Sequence, residues 1–124
     1  MQKKNPHDRA NELHDLIADE RKKRHTTTAV GNTTEEIFIV GTNEEYVRME
    51  IRRALFEYEI IAKSRPGNHA EENVMDEATE RSLTLLEIGA SRPICLDCEE
   101  KIKAGGIETQ TEFSGKKSKN RSGH

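Results

Sequence analysis

The sequence predicts an α/β fold, a mixed central sheet of four to five strands with helices on both faces. Three observations predict it. "LTLLEIGA" (83–90) is nearly all apolar, the pattern of a strand covered on both sides. A short helical stretch, 95–104, and then "IETQTEF" (107–113) follow it, and this strand–helix–strand run reads as a right-handed parallel crossover. Upstream, two β-rich stretches flank turn chemistry and read as a hairpin.

Taken in order, "PHDRANELHDLIADERKKR" (6–24) is predicted helical, with Pro6 near its start and Ala10, Leu13 and Ile17 at helical spacing. "HTTTAV" and "EEIFIV" give the hairpin strands, about 26–31 and 35–41, joined by "GNTT". Thr42 or Asn43 then caps a predicted helix over 44–62, in which Val47, Ile51, Ala54, Leu55, Tyr58, Ile61 and Ala62 recur at three- and four-residue steps. "SRPGN" breaks it, and a helix follows over about 68–81. The strand at 83–90 ends in "SRP". The helix at 95–104 stops at Gly105–Gly106. The final stretch alternates Ile107, Thr109, Thr111 and Phe113 with polar residues, a strand pattern. Three parts follow: an N-terminal helix in 1–25, a main domain in 26–113 and a basic polar tail in 114–124. The tail has no apolar residue and is expected to be disordered.

Composition narrows the function classes. The 124 residues are 32% hydrophobic and 35% charged, enough for one domain with a modest core. No run approaches the roughly 18 apolar residues of a membrane span, so no membrane partner is expected. The first 25 residues hold no apolar stretch of the signal-peptide kind. The net charge of −3 is uneven: 114–124 has four Lys/Arg and no acid, whereas 26–113 has nine against eighteen acids. The basic face usual in a nucleic-acid binder is not evident from this balance.

The chemistry lies in "GNHAEENV" (67–74) and "SRPICLDC" (91–98). Cys95 and Cys98 at i and i+3 on a helix start point the same way and can share a metal ion. His69, at another helix start, supplies a third ligand. Two cysteines and one histidine suit Zn²⁺ and leave the fourth tetrahedral position for water, the catalytic arrangement. Glu71, two residues after His69, is placed to take a proton from that water and pass it to a substrate.

His69-Ala70-Glu71, then Pro93, Cys95 and Cys98, resembles the signature of the zinc-dependent cytidine deaminase superfamily, His-x-Glu followed by Pro-Cys-x-x-Cys. The resemblance covers about 26–113, and the order of elements agrees with it. It implies a three-layer cytidine deaminase-like fold, zinc held by His69, Cys95 and Cys98, and Glu71 as general acid/base. It implies attack on C4 of cytosine by hydroxide on the zinc, giving uracil. It also implies substrate contacts at Asn43, at the end of the second strand, and at Ala70 and Pro93. Two features depart from the signature. Ile94 separates Pro93 from Cys95, and little follows Phe113, where the family has a fifth strand and often a further helix. The insertion, and a predicted helix at 44–62 longer than compact nucleoside deaminases need, look like the deaminase domains of bacterial polymorphic toxins. That likeness implies a C-terminal domain of a larger secreted toxin. It would act on DNA or RNA in the target-cell cytoplasm, with a cognate immunity protein as partner.

Other readings stand beside this one. The same fold could deaminate free nucleosides or nucleotides, or adenine. An inactive binding module could use zinc for stability alone, given a fourth ligand. Cys95 and Cys98 alone could form a redox pair, His69 and Asn43 could be helix caps, and Glu71 an ordinary first-turn acid.

Overall fold

A computed structural model describes residues 3–118. Four strands, β1 (Thr28–Thr33), β2 (Phe38–Thr42), β3 (Glu59–Ile61) and β4 (Leu85–Ala90), form one mixed sheet in the order β3-β2-β1-β4. β1 is antiparallel to both β2 and β4, and β3 runs parallel to β2. The helices are α1 (Pro6–His14), α2 (Glu20–His25), α3 (Met49–Arg52), α4 (Ala70–Glu80) and α5 (Leu96–Ala104).

Alternation along the strands divides the core in two. Ala29, Ile39, Ile88 and Ala90 face Ala70, Val74 and Ala78 of α4 and Cys98 and Ile102 of α5. Val30, Phe38 and Val40 face Ala10 and Leu13 of α1, together with Ile17, Val47 and Ile51. The α/β architecture is therefore as the sequence predicts, with helices on both faces of a four-stranded sheet. α1 belongs to this packing rather than standing apart from the rest. It lies so close to β4 that a Cβ on Gly89 would fall 2.2 Å from the His7 nitrogen.

Several local expectations change. The predicted helix at 6–24 is two helices, because the Asp19 side chain accepts the Arg21 and Lys22 N–H groups and starts α2 anew. The hairpin turn lies later than "GNTT": Gly31 to Thr33 extend β1, and Glu36 takes the positive φ of 63°.

The largest change is at 44–62, where one helical turn, α3, is followed by strand β3. Glu59 explains it. Its buried carboxylate accepts two bonds from Arg9, at 2.8 and 2.6 Å, and one from the Phe56 N–H at 2.8 Å. Arg9 also donates to the Ala54 carbonyl at 2.9 Å. This network turns the chain at 54–59 and lays Ile60 and Ile61 beside β2, where the β-branched pair suits a strand.

The predicted strand at 107–113 forms only two isolated parallel bridges, Glu87 with Glu108 and Ile94 with Phe113. Between them the Thr111 hydroxyl, not the main chain, meets the Ala90 N–H at 2.9 Å. A side chain thus replaces the ladder and the strand is interrupted. Nor are residues 114–118 loose: the Ser114 N–H donates to the Ile94 carbonyl at 2.8 Å, and the Leu96 N–H to that of Lys116 at 2.9 Å. Positions 119–124 of the expected disordered tail lie outside the described residues.

Candidate metal centre

Arg65-Pro66-Gly67-Asn68 is a turn with the Pro-Gly order of type II. Gly67 supplies the positive φ of 83°, and the Asn68 N–H donates to the Arg65 carbonyl at 3.1 Å. The turn delivers His69 as the N-cap of α4, in extended backbone. The Glu72 carboxylate reaches back to the His69 N–H at 2.8 Å, which fixes the first turn. Cys95 is likewise the extended N-cap of α5, and Cys98 lies one turn on.

The two helix starts meet. His69 Nδ1 is 3.2 Å from Cys95 Sγ and 3.4 Å from Cys98 Sγ. One ligand atom from each of the three residues lies within 4.8 Å of the others, close enough to hold one metal ion. Cys98 is fully buried, and its thiol pKa is pushed up by that burial and by the charges of Glu71 and Cys95. The donor set, two sulfurs and a ring nitrogen at two positive helix ends, fits a thiophilic cation.

Glu71 and Ala70 line a cleft of about 510 Å³ beside this cluster. Glu71 is 4% exposed. Burial pushes its carboxyl up to about 7; the Glu72 charge adds to the shift and Arg92 opposes it. Asn43 and Pro93 line the same cleft. Asn43 caps no helix: α3 begins only at Met49, with Arg48 as its cap. Instead the Asn43 side-chain oxygen accepts the Thr27 N–H at 2.8 Å, which orients its amide beside the cleft. All seven residues singled out in the sequence are thus gathered at one place: three converge and four line the cleft or carry its buried acid.

Ile94, the residue that interrupts the Pro-Cys pair, is fully buried. Its N–H donates to the Glu112 carbonyl at 2.9 Å, and its carbonyl accepts from Ser114. Ile94 is an anchor between the cysteine loop and the C-terminal segment.

Three further residues escaped the sequence reading. Asn73 is completely buried; it donates to the Thr42 carbonyl at 2.9 Å and accepts the Arg65 N–H at 3.2 Å, tying α4 to β2 and to the turn before His69. A signal existed: an amide stands beside Val74 on the buried side of the helix. Arg92 lines the cleft and donates to the Thr27 hydroxyl at 2.7 Å. Lys101, in the last turn of α5, forms an ion pair with buried Glu72 in the first turn of α4, a second tie between the two helices.

Compared with protein-family models, curated proteins and solved structures, the chain finds no match.

Proposed function

We propose that the chain is a zinc-dependent deaminase converting cytosine to uracil in nucleic acid, and the C-terminal toxin domain of a larger bacterial secreted protein. The observation that carries the chemistry is the convergence of His69, Cys95 and Cys98 beside the buried Glu71. His69, Cys95 and Cys98 would hold a zinc ion, which when bound would acidify the attacking water. Glu71 takes a proton from the attacking water and returns protons to the ring nitrogen and the departing amine. Cytosine and water become uracil and ammonia. In the metal-free site burial holds the Glu71 carboxyl well above its ordinary value, at about 7, and a bound cation would lower it. The amide of Asn43 and the backbone of Ala70 border the space where the base sits, and Pro93 closes its rim. The toxin assignment rests on "SRPICLDC" alone, since the long helix expected at 44–62 is one helical turn and a strand. It carries with it action in the cytoplasm of a target cell and an immunity protein in the producer.

The test is expression in cells followed by sequencing of DNA and RNA, beside Glu71→Ala. Glu71 is no ligand of the metal, so the variant keeps its zinc. Loss of a positioned general acid/base lowers turnover by roughly 10²–10⁴. C-to-T changes in DNA or C-to-U in RNA, absent with Glu71→Ala, support the proposal. A-to-G changes would replace cytosine by adenine as the substrate. Full activity in Glu71→Ala would end the mechanism, and no activity in either protein would favour a zinc-stabilised binding module.

A further inference from the structure

The cleft has one carboxylate among its described lining residues, Glu71, and beside the ligand His69 four basic side chains: His25, Arg92, Lys116 and Lys117. This is a local reversal of sign, since the chain as a whole carries a net charge of −3. The basic groups enter from two directions. Arg92 is held toward α2 by bonds to the Thr27 hydroxyl at 2.7 Å and to the Arg24 and His25 carbonyls at 3.4 Å. Lys116 and Lys117 come from the C-terminal strap, residues 114–118, on the side of α5.

The strap is built in. Gly115 turns it at a φ of 72°, and the Ser114 hydroxyl accepts the Lys116 N–H at 3.2 Å. The Lys116 carbonyl accepts the Leu96 N–H at 2.9 Å, and Leu96 follows the ligand Cys95. The strap backbone is therefore fixed to the loop that carries the metal ligand, while both lysine side chains are exposed at the cleft. Neither is in an ion pair among the described residues.

Resting on the reading of this site as a deaminase, we infer that Lys116 and Lys117 hold backbone phosphates next to the target base of a single-stranded nucleic acid. A free nucleoside has no phosphate and leaves both lysines idle. A long duplex needs an extended basic face, and a net charge of −3 does not favour one. A single strand needs a few cations beside the pocket, and its base enters without being unpaired first.

The experiment measures binding of a fluorescein-labelled, cytosine-containing single-stranded oligonucleotide by anisotropy, between about 50 and 200 mM salt. It compares the purified chain with Lys116→Ala/Lys117→Ala and with a charge-matched control, Lys4→Ala/Lys103→Ala, whose lysines sit in exposed ion pairs with Glu12 and Glu99. The strap variant should bind more weakly. Its plot of log affinity against log salt should be shallower by about 1.4, two contacts at roughly 0.7 each. The control should match wild type. Equal losses in both variants, or in neither, overturn the inference. So does displacement of the oligonucleotide by cytidine monophosphate as readily as by unlabelled strand, which would make the lysines a site for a free nucleotide's phosphate. Binding needs no turnover, so failure here is distinct from failure of the Glu71→Ala test.

Discussion

His69 Nδ1 lies 3.2 Å from Cys95 Sγ, and each residue is the N-cap of its own helix, α4 and α5. The two helix starts therefore aim their positive ends at one point. That field opposes the burial that pushes the Cys98 thiol pKa up, and a cation bridging the three side chains would lock the helices together. Beside such a cation, the Glu72–Lys101 pair also ties the two helices, and its lysine is half exposed to water.

The purified chain should hold about one zinc ion, and chelation should lower its melting temperature. Cys95→Ala with Cys98→Ala should remove the metal and bring the melting temperature down to the chelated value. Elemental analysis and thermal melts check both. Full zinc occupancy in the double variant would mean that the ligands lie elsewhere.

In the chelated protein, Glu71 should make stability fall with rising pH. Its carboxyl ionises near 4.5 in the unfolded chain and near 7 in the folded one. Between those values the folded state binds more protons, so stability declines as pH rises through that window and levels off above it. Glu71→Gln should match wild type below about pH 4.5 and exceed it at pH 8 by on the order of 3 kcal/mol. Urea melts across pH read this directly. Parallel curves for the two proteins would show that the carboxyl is not buried as charge.

Arg9→Ala should destabilise by about 3–5 kcal/mol, because it leaves the Glu59 carboxylate buried without its partner. The side chains of the pair are 5% and 0% exposed. Arg9→Met with Glu59→Leu should recover much of the loss, since no lone charge remains. Denaturant melts of wild type and the two variants decide it; a double variant no more stable than Arg9→Ala would remove the pair from any special role.

Deleting 114–124 should lower the melting temperature by several degrees. Two main-chain bonds disappear, Ser114 to Ile94 and Leu96 to Lys116, at about 1 kcal/mol each. An unchanged melting temperature would show that the strap adds nothing to the cysteine loop.

The His69–Cys95–Cys98 cluster was legible in the sequence because it is written in short spacings. His69, Glu71, Cys95 and Cys98 sit at helix starts, and helix starts are announced locally, by the Pro-Gly turn and by the Ser-Arg-Pro break. The stretch 44–62 was not legible, because its apolar steps fit a helix and only a distant partner overrules them. Arg9, fifty residues from Glu59, decides that the chain turns there. The C-terminal strap was misread for the same reason. Its residues are polar and look unfixed, yet its bonds go to the backbone of Ile94 and Leu96, which no side-chain pattern reveals. Alternation in 107–113 was real, but Thr111 spends its hydroxyl on the main chain of β4 and interrupts the strand.

The close seat of α1 on β4 also sets an order of events during synthesis. Pro6 and His7 rest on Gly89, more than eighty positions later, where even a methyl group would collide with their backbone. On the ribosome, α1 emerges early and has no surface to settle on until β4 has followed. Cys95 and Cys98 emerge later still. Assembly of the outer helix and of the metal centre are thus both late steps, and contacts of such long sequence separation form slowly. A chain interrupted before β4 has neither a seat for α1 nor all three residues of the candidate metal site.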